Sequence, residues 1–110
     1  MSELTASRMA DRTWREDRPG VRYAVLRAHG ESEGATLLTR FAAGTSGGRH
    51  SHPGGEELFV LEGDCEVDGV RLGPGDYLHT PEGEAHELIA LSDTTVLVVL
   101  PKLPLYDTRS

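Results

Sequence analysis

Five histidines, His29, His50, His52, His79 and His86, are the residues of this chain best equipped for chemistry. Only Ser51 separates His50 from His52. On a strand, residues two apart point to one face, so both imidazoles can reach a common point. Glu56 follows His52, and the intervening Pro53-Gly54-Gly55 supplies a bend that can swing its carboxylate back toward the pair. His86 lies further on and opens another strand-like run; a closed antiparallel sheet brings such separations across a barrel. Three neutral imidazoles and one carboxylate are a natural shell for a divalent first-row metal. A His-x-His pair by itself is as readily an exposed edge pair as a ligand pair, so the surrounding residues must decide.

The elements that would position these side chains are short. From Val21 onward, β-rich runs alternate with Gly, Pro and Asp clusters. The runs are residues 21–27, 35–42, 57–61, 64–67, 70–72, 77–80, 86–91 and 95–100. Such spacing predicts an all-β sandwich or barrel. Asp68-Gly69 is a two-residue hairpin signal, and Gly73-Pro74-Gly75-Asp76 is a second turn. Residues 1–20 show no period and read as a tail or leading strand, with Trp14 packed on the barrel; a short helix over residues 7–15 is the weaker option. Residues 21–110 then form a single barrel domain. The runs Glu57 to Leu61 and Val96 to Leu100 lack alternation, which predicts cover on both faces and hints at a strand shared with a second subunit.

Composition narrows the function classes. At 110 residues one domain is expected, and a chain of this size can bury a core without staples. The single cysteine, Cys65, excludes an internal disulfide and a cysteine zinc cage. The longest apolar run, Val96 to Leu100, is too short to cross a bilayer. Net charge is −7 and uneven: residues 1–30 hold six Arg against four acids (+2), and residues 31–110 hold five bases against fourteen acids (−9). An acidic body repels phosphate backbones, which argues against nucleic-acid binding. No secretory or transit segment is evident, so a cytoplasmic location is the expectation.

The residues around the histidines form a longer pattern. Gly44, five residues, His50, Ser51, His52, three residues, Glu56, six residues and Gly63 match the first cupin motif at every fixed position. Gly75, five residues, Pro81, Glu82, Gly83, two residues and His86 match the second cupin motif up to its last position, where Ala90 stands in place of Asn. The chain thus resembles the cupin superfamily. The run from His50 to Glu57, with Phe59 to Gly63, is similar to the cupin domain of ChrR-type anti-sigma factors and their stand-alone relatives. The resemblance implies a jelly-roll barrel (the double-stranded β-helix), a metal held by His50, His52, Glu56 and His86, and a homodimer. The separate N-terminal zinc domain that grips a sigma factor is not expected in this chain, so that activity is not carried over.

The remaining polar residues read differently. Adjacent Glu56 and Glu57 should face opposite ways, with Glu57 toward solvent or a subunit boundary. Arg49 should point away from His50. Tyr77 and His79 share a strand face and are expected at the cavity mouth, with His79 a pocket residue rather than a fifth ligand. His29 is expected in a solvated turn, and Cys65 as a small buried hydrophobe.

The implied site keeps open coordination positions, and a divalent ion there is a Lewis acid. Affinity order does not choose among Zn, Ni, Fe and Mn, with Zn slightly favoured. Three readings follow. One is a small metalloenzyme, a dioxygenase or isomerase acting on a small oxygenated molecule. The second is a non-catalytic zinc sensor or ligand-binding module, and the third is a barrel whose metal only staples the fold.

Overall fold

The computed structural model describes residues 3–30, 33–102 and the backbone of 105–106. Among the described residues a 3-10 turn at Met9–Asp11 precedes twelve strands: β1 Arg15–Arg18, β2 Val21–Ala28, β3 Ala35–Phe41, β4 His50–Ser51, β5 Glu56–Glu62, β6 Cys65–Val67, β7 Val70–Leu72, β8 Tyr77–Thr80, β9 Ala85–His86, β10 Leu88–Ala90, β11 Thr94–Leu100 and β12 Leu105–Tyr106. All pairings are antiparallel. A six-stranded sheet runs β1-β2-β3-β11-β5-β8, and two small sheets run β10-β6-β7 and β12-β4-β9. The expected jelly roll is the observed architecture.

Turn chemistry sets the hairpins. Asp68 and Gly69 both take positive φ, 45° and 86°, as a two-residue hairpin between β6 and β7 requires. The Gly73–Asp76 turn closes on itself: Asp76 N–H donates to the Gly73 carbonyl at 3.0 Å, and Gly73 N–H to Asp76 Oδ2 at 2.8 Å.

The core is one continuous cluster that includes Val21, Phe41, Leu58, Val60, Cys65 and Val96. Each fully buried Val or Leu side chain contributes about 1.5–3 kcal/mol relative to exposure. Cys65 is fully buried, and burial pushes its thiol up to about 11; it packs as a hydrophobe, as expected.

Three sequence expectations change. No helix forms over residues 7–15. Only the single turn at Met9–Asp11 appears, and Arg15–Arg18 is a leading strand, as expected of this segment, paired to β2. Trp14 sits half-buried beside it with the Arg40 guanidinium 4.3 Å from its ring centre, a cation–π contact on the outer face of β3. The run 86–91 is two strands, because at Glu87 the backbone N–H donates to Asp68 Oδ1 at 3.1 Å and the carbonyl accepts from Asp68 N–H at 3.3 Å. Finally, β5 does alternate. Glu56, Leu58 and Val60 are buried, whereas Phe59 and Leu61 are 38% and 44% exposed. The alternation is hidden in the sequence because the outward residues are apolar too. Among the described residues the outer face of β5 stays open.

Candidate metal centre

His50 ends its loop as the first residue of β4, and His86 is its direct cross-strand partner on β9. That pairing alone brings residues from the two motifs together. His52 has left the strand. Its carbonyl accepts Gly55 N–H at 3.1 Å and Gly83 N–H at 2.7 Å, so one backbone oxygen fixes both glycine turns. Gly55, at φ +80°, turns the chain into β5, whose first residue is Glu56. The His50–His52 relation is thus a strand end followed by a turn, not one uninterrupted strand face.

The four side chains converge. His52 Nε2 lies 2.8 Å from His86 Nε2 and 3.3 Å from Glu56 Oε2, and His86 Nε2 lies 3.4 Å from Glu56 Oε1. The His50 ring centre is 4.4 Å from that of His52 and 5.2 Å from that of His86. One donor atom from each residue falls within 4.8 Å of all the others. Ligand bonds of roughly 2.0–2.2 Å place donor pairs about 3–4 Å apart around a single ion, so these separations fit one cation.

The outer nitrogens fix ring orientation. His50 Nδ1–H donates to the Gly48 carbonyl at 3.0 Å, leaving Nε2 to point inward. His86 Nδ1 lies 3.0 Å from Thr80 Oγ1, which does the same for that ring. Gly48 takes φ +77°, and the Arg18 guanidinium of β1 occupies the space that a Cβ would fill there. A further contact steadies this loop: Ser46 Oγ donates to Glu87 Oε2 and accepts from Gly48 N–H at 3.0 Å.

Burial disfavours charge on all four groups. Desolvation lowers His50, and it takes His52 to about 3 and His86 to about 4, with neighbouring imidazoles adding to the shift of these last two. Desolvation also pushes the Glu56 carboxyl up to about 8. Glu56 Oε1 and His52 Nδ1 are buried without a hydrogen-bond partner among the described residues. Neutral imidazoles with inward lone pairs beside a buried carboxylate oxygen form a donor set that a cation satisfies and that water or protons satisfy poorly. The cluster is capable of binding a metal ion.

Above the cluster lies a cavity of about 470 Å³. Its walls are mostly apolar, among them Val25, Leu37, Phe41, Val98 and Leu100; Tyr23, Thr39 and Asp17 add polar atoms. The sequence reading missed Thr80, Asp17, Tyr23 and Thr39. Thr80 was legible in principle: it alternates with His79 on β8 and pairs with Glu56 on β5.

The other expectations divide. Tyr77 and His79 are exposed and lie outside the cavity. They share the outer face with Glu57, which pairs with His79 and accepts the Tyr77 hydroxyl at 2.9 Å. The inward face of β8 belongs instead to Leu78 and Thr80. His29 is half-buried and bonded to Thr36 Oγ1 at 2.9 Å, rather than solvated. Arg49 points outward to Asp68 at 3.5 Å, and Glu57 is exposed, both as expected.

Comparison with known proteins places this architecture. KdgF from Halomonas sp. is 23% identical, covering 92% of this chain and 96% of that one, with a TM-score of 0.77. An acetylacetone dioxygenase from Acinetobacter johnsonii is 18% identical, covering 98% and 80%, with a TM-score of 0.81. The Rhodobacter sphaeroides complex of SigE with the anti-sigma ChrR contains a chain 29% identical, covering 84% of this chain with a TM-score of 0.74. This chain spans about half the length of that one, 51%. No curated protein matches the chain. The family model of the ChrR cupin-like domain matches residues 2–105, a stretch that takes in all the described strands up to β11 and all four converging side chains, and the chain therefore belongs to the ChrR cupin-like family.

Proposed function

We propose that His50, His52, Glu56 and His86 hold a divalent transition metal, and that the chain is a small metalloenzyme, a dioxygenase or isomerase, acting on a small oxygenated molecule. One observation carries this reading. The donor set opens onto a cavity of about 470 Å³ with mostly apolar walls, whereas a metal that only stapled the fold would need no such space. When bound, the ion would supply Lewis acidity to an oxygen donor of the substrate. The protein's own part is orientation and exclusion. Gly48 and Thr80 hold two imidazoles in place, and the apolar walls favour a compact, weakly polar body over water. Tyr23 and Thr39 are the hydroxyls able to orient it, and Asp17 sets a negative charge at the wall.

The test begins with elemental analysis of protein purified without a histidine tag. Fe(II)-loaded protein is then assayed for O₂ uptake against a panel of diketones and hydroxy-ketones. Metal-dependent turnover supports the enzyme, and silence across metals and panel overturns it.

A second reading is a non-catalytic zinc sensor or ligand-binding module. The likeness to a chain of the SigE–ChrR complex, at 29% identity, favours it. It predicts tight zinc and a rise in melting temperature with a ligand, without turnover. In either case a homodimer is proposed. Phe59 and Leu97 pair across β5 and β11, and with Leu61 they put apolar surface on the outer face of the large sheet. Sedimentation of the parent and of Phe59→Glu tests this, the variant being expected as a monomer.

A further inference from the structure

Carboxylates outnumber bases in this chain, 18 to 11, so a surface guanidinium has acids to choose from. Arg49 takes one, Asp68. Arg18 lies 4.0 Å from Asp17, and the other described arginines have none, Arg8, Arg12 and Arg15 among them. All three line one cavity of about 480 Å³ between the segment ahead of β1 and the side of β2 formed by Tyr23, Val25 and Leu26. Among the described residues none of the three has a carboxylate within ion-pair distance. Asp11 lines the same cavity but pairs with none of them. The Nε of Arg12 is buried and makes no hydrogen bond among the described residues.

The fold explains why the cavity exists. Pairing of β1 with β2 begins at Arg15 opposite Tyr23, so the rest of β2 has no β1 neighbour. The chain before Arg15 instead turns at Met9–Asp11, where Asp11 N–H donates to the Arg8 carbonyl and Arg12 N–H to the Met9 carbonyl. This turn sets Arg8 and Arg12 at a fixed separation on the cavity wall. Gathering three like charges around the single carboxylate of Asp11, which pairs with none of them, is unfavourable, and a buried unpartnered N–H adds to the cost. Guanidinium forks match carboxylate and phosphate oxygens in pairs. Ser7 and Thr13 line the same space and offer hydroxyls beside them.

We infer that this cavity is a second binding site, distinct from the histidine cluster, and that it takes a small molecule bearing a multiply charged oxyanion. Its volume exceeds that of a bare phosphate ion, so the group arrives attached to a compact body. Tyr23 and Val25 line the barrel cavity as well. The two spaces therefore share a wall, and a ligand in one bears on the side chains that shape the other.

The test is calorimetric titration of the whole chain, stripped of metal with a chelator, using inorganic phosphate and citrate as probes. Stripping keeps either anion from reporting on a metal. The expected result is saturable one-to-one binding of at least one probe. Arg12→Gln or Arg15→Gln should weaken it roughly tenfold or more, His52→Ala should leave it unchanged, and salt should weaken it. Phosphate binding in preference to citrate identifies a phosphate ester as the ligand class, and the reverse a polycarboxylate. Arg8→Gln serves as a further variant should Arg12→Gln fail to fold, since the Arg8 side chain is exposed. No saturable binding of either probe at millimolar concentration, binding indifferent to the arginine variants, or binding abolished by His52→Ala overturns the inference.

Discussion

The two ends of the barrel are built from the same strands and differ in what those strands carry inward. β5 brings Glu56 to one end and Leu58 and Val60 to the other; the stretch that follows Ala85 brings His86 to the first and Ala90 to the second. His52, Glu56 and His86 are as deeply buried as the apolar side chains, yet the sign of that burial for stability is opposite. At the apolar end each covered side chain adds to stability. At the histidine end the same loss of water drives every group from its charged form, and two polar atoms are left without partners. One end is stable by itself; the other is a donor set that a cation could complete.

Variants can break or sharpen that contrast. The largest effect is expected from His52→Ala. Stoichiometric metal in the parent should disappear, while the melting temperature of metal-free protein holds or rises, because a desolvated imidazole has been removed. Elemental analysis and melts with and without chelator check this, and a variant that keeps its full metal content would end the contrast. Leu58→Ala at the other end should cost about 2–5 kcal/mol in urea unfolding, equally with and without metal. Thr80→Val comes next: with no acceptor for His86 Nδ1, metal affinity should fall roughly 10–100-fold in a chelator competition, with little change in the apolar core.

The smallest effect is in pH. In the metal-free chain His52 and His86 sit at about 3 and 4, below the ordinary 6.5, so the unfolded state takes up more protons and stability is lost as pH falls through that window. Glu56 sits at about 8, above its ordinary 4.5, so the folded state holds the extra proton and stability is lost as pH rises toward that value. Between 4.5 and 6.5 the histidines outweigh the single carboxyl. Melting temperature should therefore peak at about pH 6–7 without metal, and metal loading should abolish the alkaline fall.

The apolar end and the donor set were both open to reading from sequence, for different reasons. Fixed spacings from Gly44 to Gly63 and from Gly75 to His86 carry the four donors, and turn residues such as Asp68-Gly69 mark the strands between them. What the sequence hid depended on which face of a strand looks inward. On β8 the polar Tyr77 and His79 drew attention, yet the cavity side belongs to Leu78 and Thr80, a choice settled only by pairing with β5. On β5 apolar Phe59 and Leu61 masked a strict alternation. Asp17 and Tyr23 reach the cavity through the β1–β2 pairing, which no local pattern announces.

Arg18 and Gly48 turn the amino-terminal strand into a handle on the histidine cage. The guanidinium fills the place of a missing side chain, and the carbonyl of that same glycine steers the ring of His50. A fusion tag, a protease nick or a docking molecule that shifts the first eighteen residues is felt, through a single backbone oxygen, at a donor atom of the cage.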